Sequence, residues 1–178
     1  MSYERAYRFT LAEEKGFADD PDDPGGKTRD GIASHANPLE WADGVLTDAE
    51  RDAAYRRRWD RIRGGELPPP VAISLFDFYF QSGAPAVQAL QRLVGANPDG
   101  SLGPKTVEAV RSACSSTTTP DALALALIEA RAAFLSAWIR RLPVERVAGG
   151  TTFREARVRF MTGFMRRLAR LAFEISRA

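Results

Sequence analysis

Two glutamates, four aspartates and a threonine are gathered between Glu13 and Thr28, and these are the groups that cleavage of a sugar bond requires. A carboxylic acid protonates the glycosidic oxygen. A carboxylate across the bond positions water or steadies an oxocarbenium-like centre, and a hydroxyl orients water or sugar. Glu14 is the first candidate for the acid, because it ends an amphipathic stretch beside Leu11 and Phe17; Glu13 is the competing choice. Asp19, Asp20, Asp22 and Asp23 offer a second carboxylate, or serve as turn-forming residues. A calcium loop is a poor alternative, since Pro24 and Gly31 fall where an EF-hand needs ligands. The loop from Asn97 fails the same test, with Leu102 at the required glycine. The lone Cys114 excludes an intramolecular disulfide, and the lone His35 leaves nothing for a multi-histidine metal site and little for a histidine triad. No metal and no cofactor is expected; the chemistry rests on carboxylates.

Helices must hold these groups in place. A first helix is expected from Ser2 to about Lys15, stopped by Gly16. Two Asp-Pro steps and Gly25-Gly26 break regular helix, so residues 18–33 should form a small β-hairpin or irregular β-like loop. Thr47 and Glu50 read as a capping box for a helix through Tyr55 and Trp59. Leu67-Pro68-Pro69-Pro70 reads as a short stiff linker. The run VAISLFDFYFQSG, 71–83, is apolar nearly all round, as a buried central helix closed by Gly83 would be. Its Ser74, Asp77 and Gln81 share one stripe, which either lines a groove or forms a hydrogen-bonded buried seam. Pro85 and Pro104 each open a helix, and Asp121 caps a long one toward Arg141. Thr152 and Glu155 suggest a capping box for the last helix, with a bend at Gly163. The pattern predicts a mainly α chain with one small β excursion.

Charge is distributed unevenly: residues 1–60 carry a net −5, 61–120 a net +1 and 121–178 a net +6. The basic C-terminal part suits an anionic wall polymer or membrane surface, unless its apolar side packs on the 121–141 helix. No nucleic-acid motif accompanies the charge, so nucleic acid is not an expected partner. No stretch approaches about 18 consecutive apolar residues, and the N-terminus lacks the apolar core of a signal peptide. The expectation is synthesis in the cytoplasm without a Sec signal, and action on any outside target after release or export.

The intervals from Glu14 to Asp23 and on to Thr28 resemble those of phage lysozymes, which set a glutamate, an aspartate and a threonine at a helix end and hairpin. The longer run EKGFADDPDDPGGKTRDGI, Glu14 to Ile32, resembles the opening motif of glycoside hydrolase family 108, E-G-G-Y-x-x-D-P-x-D-P-G-G-x-T-x-x-G-I. YRRRW, 55–59, resembles that family's Tyr/Trp segment, and PVAISLFDFYFQSG, 70–83, its central helix. LQRLVGANPDGSLGPKT, 90–106, with Arg131 and FMTGFMRR, 160–167, resembles the peptidoglycan-binding module that follows. Lys15, Phe17 and Gln81 depart from the usual glycine, tyrosine and asparagine.

The resemblance implies a lysozyme-like fold and an N-acetylmuramidase that cuts the β-1,4 bond between N-acetylmuramic acid and N-acetylglucosamine. The family's catalytic glutamate falls on Glu14, with Asp23 as second carboxylate and Thr28 orienting water or sugar. Ser74, Asp77 and Gln81, with Tyr55 and Trp59 stacking on sugar faces, are the expected substrate-binding residues. Residues 1–68 would be the catalytic part and 69–178 a helical peptidoglycan-binding-like part, packed together as one monomeric unit. Peptidoglycan is the expected partner and a phage or prophage endolysin the expected role. The alternative is a non-catalytic peptidoglycan-binding protein.

Overall fold

The fold is organised around α3, Pro69–Ser82, whose residues 70–78 are all buried. A helix apolar on every side must be covered on every side, and it is. The first helix α1 (Ser2–Glu14) packs against it, as do α2 (Asp48–Arg61), α4 (Ala84–Leu93), α6 (Pro120–Arg141) and α7 (Phe153–Ile175). The remaining helix, α5, spans Pro104–Ser116. This computed structural model describes residues 2–19, 26–141 and 153–177. Each large apolar side chain buried here, such as Leu75, Phe76 or Phe78, contributes roughly 1.5–3 kcal/mol.

The prolines before α3 start a helix; they do not form a linker. Pro69 and Pro70 occupy its first turn, where a missing N–H costs nothing, and Leu67 is buried in the core. At the other end Gly83 adopts φ +62° and donates its N–H to Tyr79, releasing the chain into α4. The cap of α6 also differs from expectation. The helix begins at Pro120, and Thr119 Oγ1 accepts from the Ala122 N–H, while Asp121 lies within the first turn. By length and composition α6 could cross a membrane, yet its Leu123, Leu127, Arg131 and Leu135 are buried against the rest of the protein. Thr152 and Glu155 lie outside the residues whose side chains are described.

The β excursion is a three-stranded antiparallel sheet in the order β1 (Phe17–Ala18), β2 (Thr28–Arg29), β3 (Ile32–Ala33). Phe17 pairs with Arg29 and Thr28 with Ala33. Asp30 fixes this sheet to the helices. Its backbone N–H donates to Gly16 O and its carboxylate accepts from the Gly16 N–H, so the turn is clamped to the end of α1. Its other oxygen pairs with Arg51 at 3.2 Å, and its carbonyl accepts from the Tyr55 hydroxyl, both from α2. The expected capping box at Thr47 and Glu50 is present and starts α2.

Candidate active site

Glu14 is the last residue of α1, and Gly16 and Asp30 hold the following turn against it. Gly31 adopts φ +76° in that turn and lies flat between Glu14 and Phe80. A Cβ there would come within 2.6 Å of the Phe80 ring and 3.1 Å of the Glu14 side chain, so both the dihedral and the space select glycine. The result is a hollow of about 560 Å³ lined by Glu14, Gly31, Phe80, Gln81, Phe134 and Trp138, among others. Trp138 in this lining is 46% exposed.

The carboxylate of Glu14 is held from behind. Arg167 of α7 donates from Nη1 to Glu14 Oε1 at 2.5 Å, and Gln81 donates from Nε2 to the same oxygen at 3.1 Å. Neither arm bonds Oε2, which is left for the hollow among the described contacts. Both arms are themselves anchored. Arg167 grips the two oxygens of Asp77 from Nη2 and Nε at 2.6 and 3.0 Å. Arg131 of α6 donates to Asp77 Oδ2 at 2.6 Å and to Gln81 Oε1 at 2.6 Å. Thr10 of α1 adds a bond to Asp77 Oδ1 at 3.0 Å. Asp77 and Arg131 are almost wholly inaccessible. The Arg131 guanidinium is also stacked between Phe78 and Phe164, at 5.5 and 5.0 Å.

Two carboxylates and two guanidiniums make this cluster neutral, which is what lets it be buried. Burial by itself would push Asp77 upward, but Arg131 and Arg167 outweigh it and hold the carboxyl below the usual carboxylate range. Burial pulls Arg131 down, against the pull of Asp77, whereas Arg167, paired with both Asp77 and Glu14, is raised. Next door, Glu13 forms a two-pronged pair with Arg170 at 2.6 Å on each arm. The last turn of α1 is thus bound to α7 by successive pairs.

The structure brings some of the sequence-predicted residues together and removes others. Glu14 and Gln81 meet in the hollow. Asp77 lies behind them and Ser74 donates to Ala124 O, so these two members of the α3 stripe form a buried seam while Gln81 lines the hollow. Tyr55 and Trp59 are also core residues, 0% and 3% exposed, and cannot stack on a sugar. They pack on Phe76. Thr28 sits on β2 with its hydroxyl toward Gly26 O at 3.4 Å and does not line the hollow. Asp23 lies outside the described residues. Lys15 is exposed and forms no described pair with Glu14; the cation on Glu14 is Arg167. Phe17, expected beside Glu14, is 63% exposed.

Comparison with known proteins matches two family models in tandem: "Glycosyl hydrolase 108" over residues 7–83 and "Predicted Peptidoglycan domain" over 85–169. The solved structure of Brucella abortus SagA superposes with a TM-score of 0.72 at 30% identity, covering 99% of this chain and 96% of that one. The chain belongs to glycosyl hydrolase family 108. No curated protein matches it. The family-108 chain has a mainly α, lysozyme-like fold, is a glycoside hydrolase, and has peptidoglycan as its partner. The two matched segments are not separate devices. Asp77 and Glu14 come from the first, Arg131 and Arg167 from the second, and the ion network that supports Glu14 exists only where they meet.

Sequence reasoning placed Arg131 and Arg167 within matching motifs but gave neither a role at the site. The signal that would have found them is chemical: a buried aspartate on an apolar helix needs cations, and α6 and α7 supply Arg131 and Arg167, both buried.

Proposed function

We propose that this family-108 chain is an N-acetylmuramidase, hydrolysing the β-1,4 bond between N-acetylmuramic acid and N-acetylglucosamine with Glu14 as proton donor. The observation that carries the reading is the asymmetric hold on Glu14, with Oε1 tethered by Arg167 and Gln81 and Oε2 available to the hollow. In the protonated enzyme Oε2 gives its proton to the glycosidic oxygen as the C1–O bond breaks. Water completes the reaction by adding hydroxide to C1, and its remaining proton returns to a carboxylate. Asp23 is the proposed second carboxylate. Arg167 and Gln81 fix the rotamer of the donor, the kind of preorganisation that holds a reacting atom in line. The first matched segment, 7–83, then carries the acid and the second, 85–169, the wall-binding part, with the second completing the first. In the cell the enzyme acts on the wall after release or export, as a phage endolysin does.

The test is clearing of purified peptidoglycan, with mass analysis of the muropeptides. Wild type should release products with N-acetylmuramic acid at the reducing end, and Glu14→Gln should release none while melting as wild type does. Undiminished clearing by Glu14→Gln, or products with N-acetylglucosamine at the reducing end, would refute the assignment. Asp23→Asn separates the second carboxylate from the other aspartates of the loop.

A further inference from the structure

A second hollow of about 480 Å³ adjoins the one that Glu14 lines. Phe80 lines both. Its other walls include Asn37 from the loop after β3, Tyr79 from α3, and Arg57, Arg58 and Arg61 from α2. The spacing 57, 58, 61 puts all three guanidiniums on one side of α2 at its C-terminal end.

Only one of their charges is cancelled. Glu40 pairs with Arg57. Arg58 makes only neutral contacts, donating to Ala54 O at 3.1 Å and Asn37 Oδ1 at 3.0 Å, and its guanidinium lies 5.1 Å over the Phe80 ring. Arg61 is exposed and has no partner among the described residues. One acid against three bases leaves a cationic hollow that shares Phe80 with the Glu14 hollow. The contrast with the other hollow is plain: there, Phe134 and Trp138 present apolar faces.

We infer that the hollow of Arg57, Arg58 and Arg61 is a subsite for a carboxylate carried by the peptidoglycan strand, positioned beside the bond that Glu14 cleaves. This rests on the hydrolase reading above. Arg58 is half-buried and pre-set by Asn37, and Arg61 supplies a free fork, so together they can hold a carboxylate by charge-assisted hydrogen bonds. Such a carboxylate has two sources, the lactyl ether of peptide-free N-acetylmuramic acid and the acidic residues of the stem peptide.

The experiment compares wild type with Arg58→Gln/Arg61→Gln on four substrates. These are glycan strands with and without stem peptides, each native and with its carboxyl groups converted to methylamides. The double variant should raise KM about tenfold on the native form with kcat within about twofold. Wild type should lose the same factor on the methylamide form, where the variant loses nothing further. The native substrate that shows the loss identifies the source of the carboxylate. Equal loss on native and methylamide forms, or no loss on either, overturns the subsite. Arg61→Gln alone, exposed and unpaired, serves if the double variant does not fold. If wild type cleaves none of the four, the hydrolase reading fails instead, and co-sedimentation with the same four substrates still decides the subsite.

Discussion

Two sets of arginines lie near Glu14 and Phe80, and they are used in opposite ways. In the first, Arg131 and Arg167 are buried, and every charge is answered: Asp77 takes both guanidiniums and Glu14 takes one. In the second, Arg57, Arg58 and Arg61 stand at the surface with one acid, Glu40, among them. A guanidinium fixed by a carboxylate inside the protein has no charge left for a ligand, but it can hold another group still. A guanidinium at the surface with its charge uncancelled positions nothing, and can meet an anion. The first set serves geometry and the second recognition.

The largest effect that would break this contrast is at Asp77. Asp77→Ala leaves the buried Arg131 without a carboxylate and Arg167 with Glu14 alone, and urea unfolding should show a loss of about 3–5 kcal/mol. A loss below about 1 kcal/mol would mean that the cluster is not the support described. The same residue sets an acid limit. Its carboxyl is depressed in the folded state, so its contribution is complete above the ordinary aspartate value of about 3.9 and is lost as pH falls through the lower folded value. The melting temperature should therefore fall below about pH 4 in wild type, and Asp77→Asn should flatten that fall.

Gly31 lies against Glu14 and Phe80. Gly31→Ala meets both a left-handed dihedral and a 2.6 Å contact with the Phe80 ring, which should cost about 2 kcal/mol. Clearing activity should fall by more than stability alone explains, because the ring and Glu14 must move apart. Unchanged activity would show that the position of Phe80 is irrelevant to the site. For Arg167, the conservative Arg167→Lys should recover part of the kcat lost in Arg167→Met with KM little changed, as expected of a residue that positions the acid. The smallest effect is in the second set: Arg61→Gln should change stability by under about 0.5 kcal/mol. A larger loss would move Arg61 into the structural set.

Local signals were legible because they depend on neighbours in the chain. The Thr47–Glu50 box, the glycine that ends α3 and the prolines that open α4 and α5 follow from backbone chemistry within a few residues. The Pro68–Pro70 run misled for the same reason, since proline suits a linker and a first helical turn equally well, and only the packing of Leu67 chose between them. Ser74, Asp77 and Gln81 were readable as one stripe but not as facing α6, because their period gives a shared side and not the identity of the neighbour. Tyr55 and Trp59 were ambiguous likewise: helix-spaced aromatics suit a core or a sugar platform, and burial put them in the core.

By itself the sequence determined that the chain is mainly helical, that its chemistry must rest on carboxylates, and that Glu14 sits where a helix gives way to a turn. Tertiary structure decided what touches that carboxylate. Arg167 is separated from Glu14 by most of the chain, and no periodicity or capping rule connects them. They meet because α3 is apolar all round and draws α1, α6 and α7 onto itself, and because its one buried acid, Asp77, must be neutralised from whichever helices arrive.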